Sequence, residues 1–328
     1  MGGTSITDEG YLYDLPNYTG DLLSADHTQT PLLSMIGGLN GGKKTSNFEF
    51  DLSSEYDFPD AAQPAITETA SLTASSYRRE FVRDRQVNVC QIFMESIHLT
   101  YVKMSNQARI LHEEVGSSGY AYSTAGEANN VADEMAWQKT IRIDKIARDV
   151  EKTFIDGAYQ YPTSESVAAK TRGLMAATAL ATSSTVAAGT ADLSKALIDQ
   201  LLRTMAEAGA RFKQPVAFMN GFQVQQVSDI YGYAPQDRLY GGVAIKTVLT
   251  DFCQLGIVYN PHMGNDDFLV ADLAFCSPVF QEVPGKGLLF YEPLAKSGAA
   301  EEGQIFGQIG LDYGPAFMHG SITGLTTS

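Results

Sequence analysis

Over residues 1–42 the apolar positions keep no sustained period. Tyr11, Leu12, Leu15, Leu22, Leu23, Leu32, Leu33, Met35 and Ile36 stand between turn formers, and the stretch ends in the glycine-rich run Gly37–Gly42. This pattern predicts an extended arm, residues 1–43, with a flexible joint at its end. Its side chains need apolar partners on the chain's own body or on a neighbour. Residues 47–52 then alternate: Phe48, Phe50 and Leu52 fall on one face, Asn47, Glu49 and Asp51 on the other. That is the signature of a half-buried strand. A polar Ser/Thr/Ala-rich stretch follows, and the chain returns from Phe81 with Val87, Val89 and Ile92 in a second strand. Residues 44–93 read as one long two-stranded excursion. A lone two-stranded ribbon is marginal in water, so this one must rest on something else.

The helical period takes over at residues 127–156. Ala132, Ala136, Thr140, Ile143, Ala147, Val150 and Phe154 recur at steps of three and four and predict one apolar stripe. The other side carries Lys139, Arg142, Lys145, Arg148 and Lys152, with Asp144 placed four residues before Arg148. Such a helix is roughly 45 Å long, and Gly157 is expected to stop it. A second helix is predicted over 192–208, with Leu193, Leu197, Leu201 and Met205 as its stripe and Gly209 as its cap. A strand at Pro215–Asn220 and a short helix at Gly221–Gly232 come next. Strands at 243–250, 255–260 and 267–271 complete a compact α/β block over 190–275. From 276 to 328 the pattern is β-rich, and no internal repeat is present.

Composition narrows the function. The chain has 328 residues, 44% hydrophobic and 19% charged, within the globular range. Its formal net charge is −15. Readers of nucleic acid draw most of their affinity from Lys and Arg set against phosphates, so tight DNA binding is excluded. Enclosing DNA without gripping it is not. The three cysteines, Cys90, Cys253 and Cys276, stand far apart and form no disulfide or zinc framework. The N-terminus lacks the basic and apolar regions of a secretory signal. Gly173–Ala191 is uncharged over a membrane-spanning length but consists mainly of small residues. A soluble protein made in a cytoplasm, with no membrane partner, is expected.

Candidate chemistry is sparse. Gly37 and Gly42 followed by Lys43 have P-loop spacing, but Lys44 stands where Ser or Thr is required and a strand, not a helix, follows. A hinge is the expected role. His27, His98, His112, His262 and His319 are dispersed; only His262, near Asp266 and Asp267, could belong to a metal site, and Asn-Pro-His-Met-Gly-Asn-Asp is the vocabulary of a turn. No catalytic, cofactor-binding or metal-binding residue is predicted, and the chain is not expected to be an enzyme. The excursion is polarised by charge. Its outbound limb carries Glu49, Asp51, Glu55, Asp57 and Asp60 with no base; its return limb carries Arg78, Arg79, Arg83 and Arg85 against Glu80 and Asp84. Cross-strand pairing within one hairpin explains this, at under about 1 kcal/mol per exposed pair. So does an oppositely charged surface on a neighbouring subunit, which would fix orientation more than affinity. Glu49, Asp51, Glu55, Asp57, Arg78, Arg79, Arg83 and Arg85 are therefore candidates for an assembly interface.

The order of parts resembles the major capsid proteins of tailed double-stranded-DNA bacteriophages, an α+β Hong Kong 97-like fold. Local text agrees: Asn88–Thr100, Asp133–Gly157, Val216–Asp229, Gly256–Met263, Tyr291–Gly298 and His319–Leu325 look like successive landmarks of one branch of that family. The resemblance implies an N-arm (1–43), an E-loop (44–93) and a peripheral domain over 94–189 that contains the spine helix (127–156). An axial domain (190–275) and peripheral C-terminal strands (276–328) follow. It implies self-assembly into pentamers and hexamers of an icosahedral head around packaged DNA, in a virion assembled from host-made protein. The partners implied are the portal and possibly separate scaffolding or decoration proteins. Two departures stand out. Met1 leads almost directly into the arm, where the family often has a long cleaved segment. No Lys occurs between Ser46 and Arg85, so covalent cross-linking of subunits is not expected. A nanocompartment shell of the same fold is the nearest alternative. An α/β enzyme with an unrecognised acidic site leaves the arm and the ribbon unexplained.

Overall fold

Two large sheets carry the chain, and side-chain alternation along their strands decides what each face meets. The computed structural model describes residues 27–52, 55–57, 61, 63, 65–71, 82–105, 113–115, 121–123, 134–181, 184–232, 237–240, 243–296 and 298–327. The arm positions Tyr11 to Leu23, together with Asp60, Arg78, Arg79, Glu80, Phe81, His112 and residues 127–133, lie outside them.

In chain order, α1 (Pro31–Met35) precedes β1 (Lys43–Thr45), β2 (Glu49–Asp51) and β3 (Glu55–Asp57). After α2 (Glu68–Ser71) come β4 (Val82–Asp84), β5 (Val87–Val89), β6 (Gln91–Thr100) and α3 (Tyr101–Ser105). Two short strands, β7 (Glu113–Val115) and β8 (Ala121–Ser123), precede the long helix α4 (Glu134–Asp156) and α5 (Leu174–Thr178). Then follow β9 (Thr185–Ala187), α6 (Lys195–Glu207), β10 (Pro215–Met219) and α7 (Gly221–Tyr231). The remainder is β11 (Asp237–Tyr240), β12 (Val243–Leu249), β13 (Gln254–Tyr259), β14 (Phe268–Asp272), β15 (Ser277–Gln281), β16 (Leu289–Pro293), β17 (Ala300–Asp312) and β18 (Gly320–Thr323).

The first sheet is built on the long strand β17, which pairs with β6 on one side and with β15 and β16 on the other; β1 extends it beyond β15. The second has seven strands in the order β11-β12-β13-β10-β14-β18-β9. Segments 185–187 and 320–323 add strands to it, so this sheet draws on residues outside the 190–275 block. Strands β10 and β14 are buried on both faces. Val216, Phe218, Leu269 and Ala271 point into a core shared with α4 and the first sheet. Their neighbours Ala217, Met219, Phe268 and Val270 point the other way, into a core covered by α6. Continuous apolar runs in these strands follow from that double burial.

Helix α6 matches its sequence signals. The Ser194 hydroxyl accepts from the Leu197 N–H at its start, and Gly209 adopts a left-handed φ of +97° just past its end. Helix α4 departs from expectation. Its buried residues are Gln138, Ile146, Val150, Glu151, Phe154 and Ile155, while Ala136, Thr140 and Ile143 are exposed. Val150 and Phe154 of the predicted stripe are buried as expected, whereas its first half is turned outward and the inward face there holds polar residues with distant partners: Arg142 pairs with Glu95 of β6 at 2.9 Å. Gly157 ends α4, but not by a left-handed turn. A Cβ on Gly157 would lie 2.6 Å from the Thr171 carbonyl oxygen, and one on Gly173 would lie 2.5 Å from the Gly157 nitrogen. Two glycines let the chain fold back on the helix terminus.

The described end of the arm finds its partners on the chain's own body, the first of its two expected options. Leu32, Leu33 and Met35 are buried against the chain's own body, together with Phe50, Leu52, Cys90 and Phe93 from the excursion. The 37–42 run is a turn closed by the Gly41 N–H donating to the Gly37 carbonyl at 3.0 Å, not an open joint. At Gly42 a Cβ would collide with the Pro278 carbonyl oxygen.

Candidate assembly surfaces

The arm is fastened by one carboxylate. Pro31 opens α1 at a position whose missing N–H costs nothing, but the next two amides need acceptors. Glu151, fully buried on α4, supplies both: Leu32 N–H donates to Oε1 at 3.0 Å and Leu33 N–H to Oε2 at 2.7 Å. The Asn260 side-chain amide, just past β13, donates to the same carboxylate at 2.6 Å. Arm, long helix and second sheet thus meet at one side chain. Burial pushes the Glu151 carboxyl up to about 7, against the opposing pull of those three hydrogen bonds. His262 lies in the turn after β13, where its backbone N–H donates to Asn260 Oδ1 at 2.9 Å and its ring Nε2 lies 3.2 Å from the Gln29 carbonyl. Burial, first, then nearby Arg148 and Lys152 lower its pKa. Among the described residues, no group of three or more His, Cys, Asp or Glu side chains could hold a metal ion.

The excursion is a ribbon of two short two-stranded sheets, β2 with β5 and β3 with β4. Its foot is anchored. The Phe50 ring occupies the space a Cβ on Gly310 would fill, at 2.7 Å. Fully buried Asn88 donates to the carbonyls of Leu311 (2.8 Å) and Arg172 (3.2 Å) and accepts from the Arg172 N–H at 2.8 Å. Lys43 pairs with Asp312 at 2.5 Å and Lys44 with Glu282 at 3.4 Å.

Of the predicted interface residues, Asp51 and Arg85 come together in an exposed pair at 2.6 Å, so pairing within the ribbon accounts for those two. Farther out the backbone register pairs β3 with β4. Glu55 stands opposite Asp84, Tyr56 opposite Arg83 and Asp57 opposite Val82. Glu49 lies half-buried at the foot, opposite Val89. Arg78 and Arg79 lie outside the described residues.

A further surface went unread in the sequence. Met94, Phe306 and Phe290 are in register across β6, β17 and β16, on the face of the first sheet away from α4. Met94 and Ile92 are each 56% exposed. Glu151, Asn88 and Asn260 were likewise missed. For Glu151 a signal existed: an acid between Val150 and Phe154 on the most apolar turn of the helix.

A family model described as SU10 major capsid protein matches residues 4–326. No curated protein sequence matches the chain. Among solved structures, the cyanophage A-1(L) capsid asymmetric unit is 11% identical, with 95% of this chain and 97% of that chain covered and a TM-score of 0.61. Mycobacterium phage Bobi is 10% identical, with 96% of each chain covered and a TM-score of 0.55. The holo-SrpI encapsulin complex from Synechococcus elongatus is 10% identical, covering 93% of this chain and 94% of that one, also at 0.55. At such identities the likeness concerns the fold alone.

Proposed function

This chain belongs to the SU10 major capsid protein family, and from that premise we propose that it closes into pentamers and hexamers of an icosahedral phage head around packaged DNA. It is a shell-forming structural subunit with the α+β Hong Kong 97-like capsid fold. The proposal assigns residues 1–43 to the N-arm, 44–93 to the E-loop and 127–156 to the spine helix. It assigns 190–275 to an axial domain and 94–189 with 276–328 to a peripheral domain. It places the protein in the virion after synthesis in the host cytoplasm, next to a portal and any scaffolding or decoration proteins, and gives it no catalytic role.

One observation carries this reading: a ribbon whose foot is fixed in the core by Phe50 and Asn88, while its tip strands pair only with each other among the described residues. Two strands alone are marginal in water, so the tip gains from lying on another copy. Heterologous contacts of that kind close into rings when repeated. The net charge of −15 lets DNA move against the inner wall without sticking.

The encapsulin likeness supports a second reading, a nanocompartment enclosing protein cargo. Nuclease-treated particles separate the two. Protected DNA is expected; a protein cargo without DNA would assign the second. On boiling in denaturant the particles should release chains of 35.5 kDa, whereas a ladder of multiples would contradict a non-covalent shell.

A further inference from the structure

Where residues 211–214 lead into β10, a cavity of about 470 Å³ opens against the starts of β10 and β13. Its rim carries two cations on an otherwise acidic chain, Arg211 and Lys213, both exposed. Neither forms an ion pair with a carboxylate among the described residues. The Lys213 ammonium instead stands 5.0 Å from the Phe275 ring centroid. The loop is held in place. Buried Asp272 accepts from the backbone N–H groups of Lys213 (2.7 Å), Gln214 (2.9 Å) and Ala274 (3.1 Å). Between them Phe212 is one of only two non-glycine residues with positive φ, at +42°, among the described residues. Such strain persists only where the surroundings over-determine it. The lining also includes the apolar side chains of Ile245 and Phe252, the latter 43% exposed. Gly256 forms part of the lining, where a Cβ would lie 2.8 Å from the Ile245 side chain. The neighbouring Asp251 acts on Tyr231 and is not part of the lining.

We infer that this cleft is the seat of the chain's own acidic N-terminal segment, residues 8–15, taken from the same or an adjacent copy. The inference goes beyond the shell function and stands apart from the ribbon. Residues 1–42 contain no Lys or Arg, while Asp8, Glu9 and Asp14 alternate with Tyr11 and Tyr13. Carboxylates match Arg211 and Lys213, and tyrosine rings match Phe252 and the cations, which stack favourably on aromatic faces. Reach is sufficient. The described chain starts at His27, whose ring meets Tyr259 edge-on at 6.5 Å, at the far end of the strand whose first residue, Gln254, lines the cleft. Crossing β13 takes about 17 Å, whereas the thirteen steps from Asp14 to His27 extend to about 43 Å. The same starting point favours the arm over the ribbon, whose foot lies on the other sheet.

Cys253 lines the cleft and makes the test direct. In full-length Tyr13→Cys protein under mild oxidation by copper phenanthroline, the introduced thiol and Cys253 should lose two protons and two electrons to the oxidant and form a disulfide. The bond is read by peptide mass spectrometry. A shifted monomer band marks docking in the same copy and a dimer band an adjacent one; either supports the inference. Adding Arg211→Glu and Lys213→Glu should slow cross-linking by on the order of tenfold, the loss of two partly exposed charge pairs. No faster reaction than Leu180→Cys, an exposed control outside the cleft lining, would overturn it. So would preferential reaction of Tyr56→Cys, which would give the cleft to the ribbon of a neighbour. Neither negative result touches the shell function, which particles formed by the same variants would still display.

Discussion

Glu151 accepts the backbone N–H of Leu33 at 2.7 Å across 118 residues of chain. A short helix of five residues cannot hold itself in water, and α1 is held by this contact and by burying Leu32, Leu33 and Met35. The arm therefore begins as part of the subunit's own core.

Glu151 sets a pH dependence of stability. Its carboxyl takes up a proton near 7 in the folded chain and near the ordinary 4.5 when unfolded. Between those values the folded state binds more protons, so its stability rises as pH falls and declines as pH rises through the same window. The slope is at most about 1.4 kcal/mol per unit. Glu151→Gln removes this share of the slope and leaves the contributions of His262 and Asp267 in place. The denaturant midpoint of the unaltered protein relative to the Gln variant should rise as pH falls from 8 to 5; parallel profiles would contradict the assignment.

The two-glycine contact at the end of α4 is unforgiving. A Cβ on Gly173 would meet the Gly157 nitrogen at 2.5 Å and the carbonyl oxygens of Thr153 at 2.6 Å and Ile155 at 2.7 Å, all backbone. Gly173→Ala is expected to cost about 1–3 kcal/mol, read as a lower denaturant midpoint. Gly285→Ala is a contrasting case: its Cβ has open space but its φ is +80°, so it should cost about 1 kcal/mol. Equal effects would mean the backbone at 157–173 yields easily.

Charge on the ribbon should govern assembly more than folding. Reversing Arg83 and Arg85 to Glu breaks the Asp51–Arg85 pair, worth under about 1 kcal/mol when exposed. It also reverses two of the four basic charges on the return limb. Subunits are expected to keep their denaturant midpoint within about 1 kcal/mol and to lose shell formation in sedimentation. Normal shells would leave the ribbon charges without an assembly role.

Much of this architecture was legible in residue order because the elements announce themselves locally. The alternation of Phe48, Phe50 and Leu52 fixed the outbound limb, and Ser194 and Gly209 bracketed α6. What stayed hidden depends on partners far away in sequence. The buried face of α4 was misjudged because Gln138, Arg142 and Glu151 look solvent-facing until Glu95, Leu32 and Leu33 are placed beside them. Gly157 was rightly expected to stop α4, but its reason, the close approach of Gly173, lies far along the chain. The arm looked coreless because its apolar residues have no period of their own; they fit a site made by α4 and the first sheet. Charge patterning marked the ribbon but could not say that Asp51 takes Arg85 while Glu55 faces Asp84, since register was needed.

Negative-stain microscopy of the purified full chain tests the shell-forming role most directly. Closed shells, or five- and six-membered rings that convert to shells with concentration, are the expected result. Particles the size of a single 35.5 kDa chain at every concentration, with residues 82–93 and the arm protected from proteases, would contradict it.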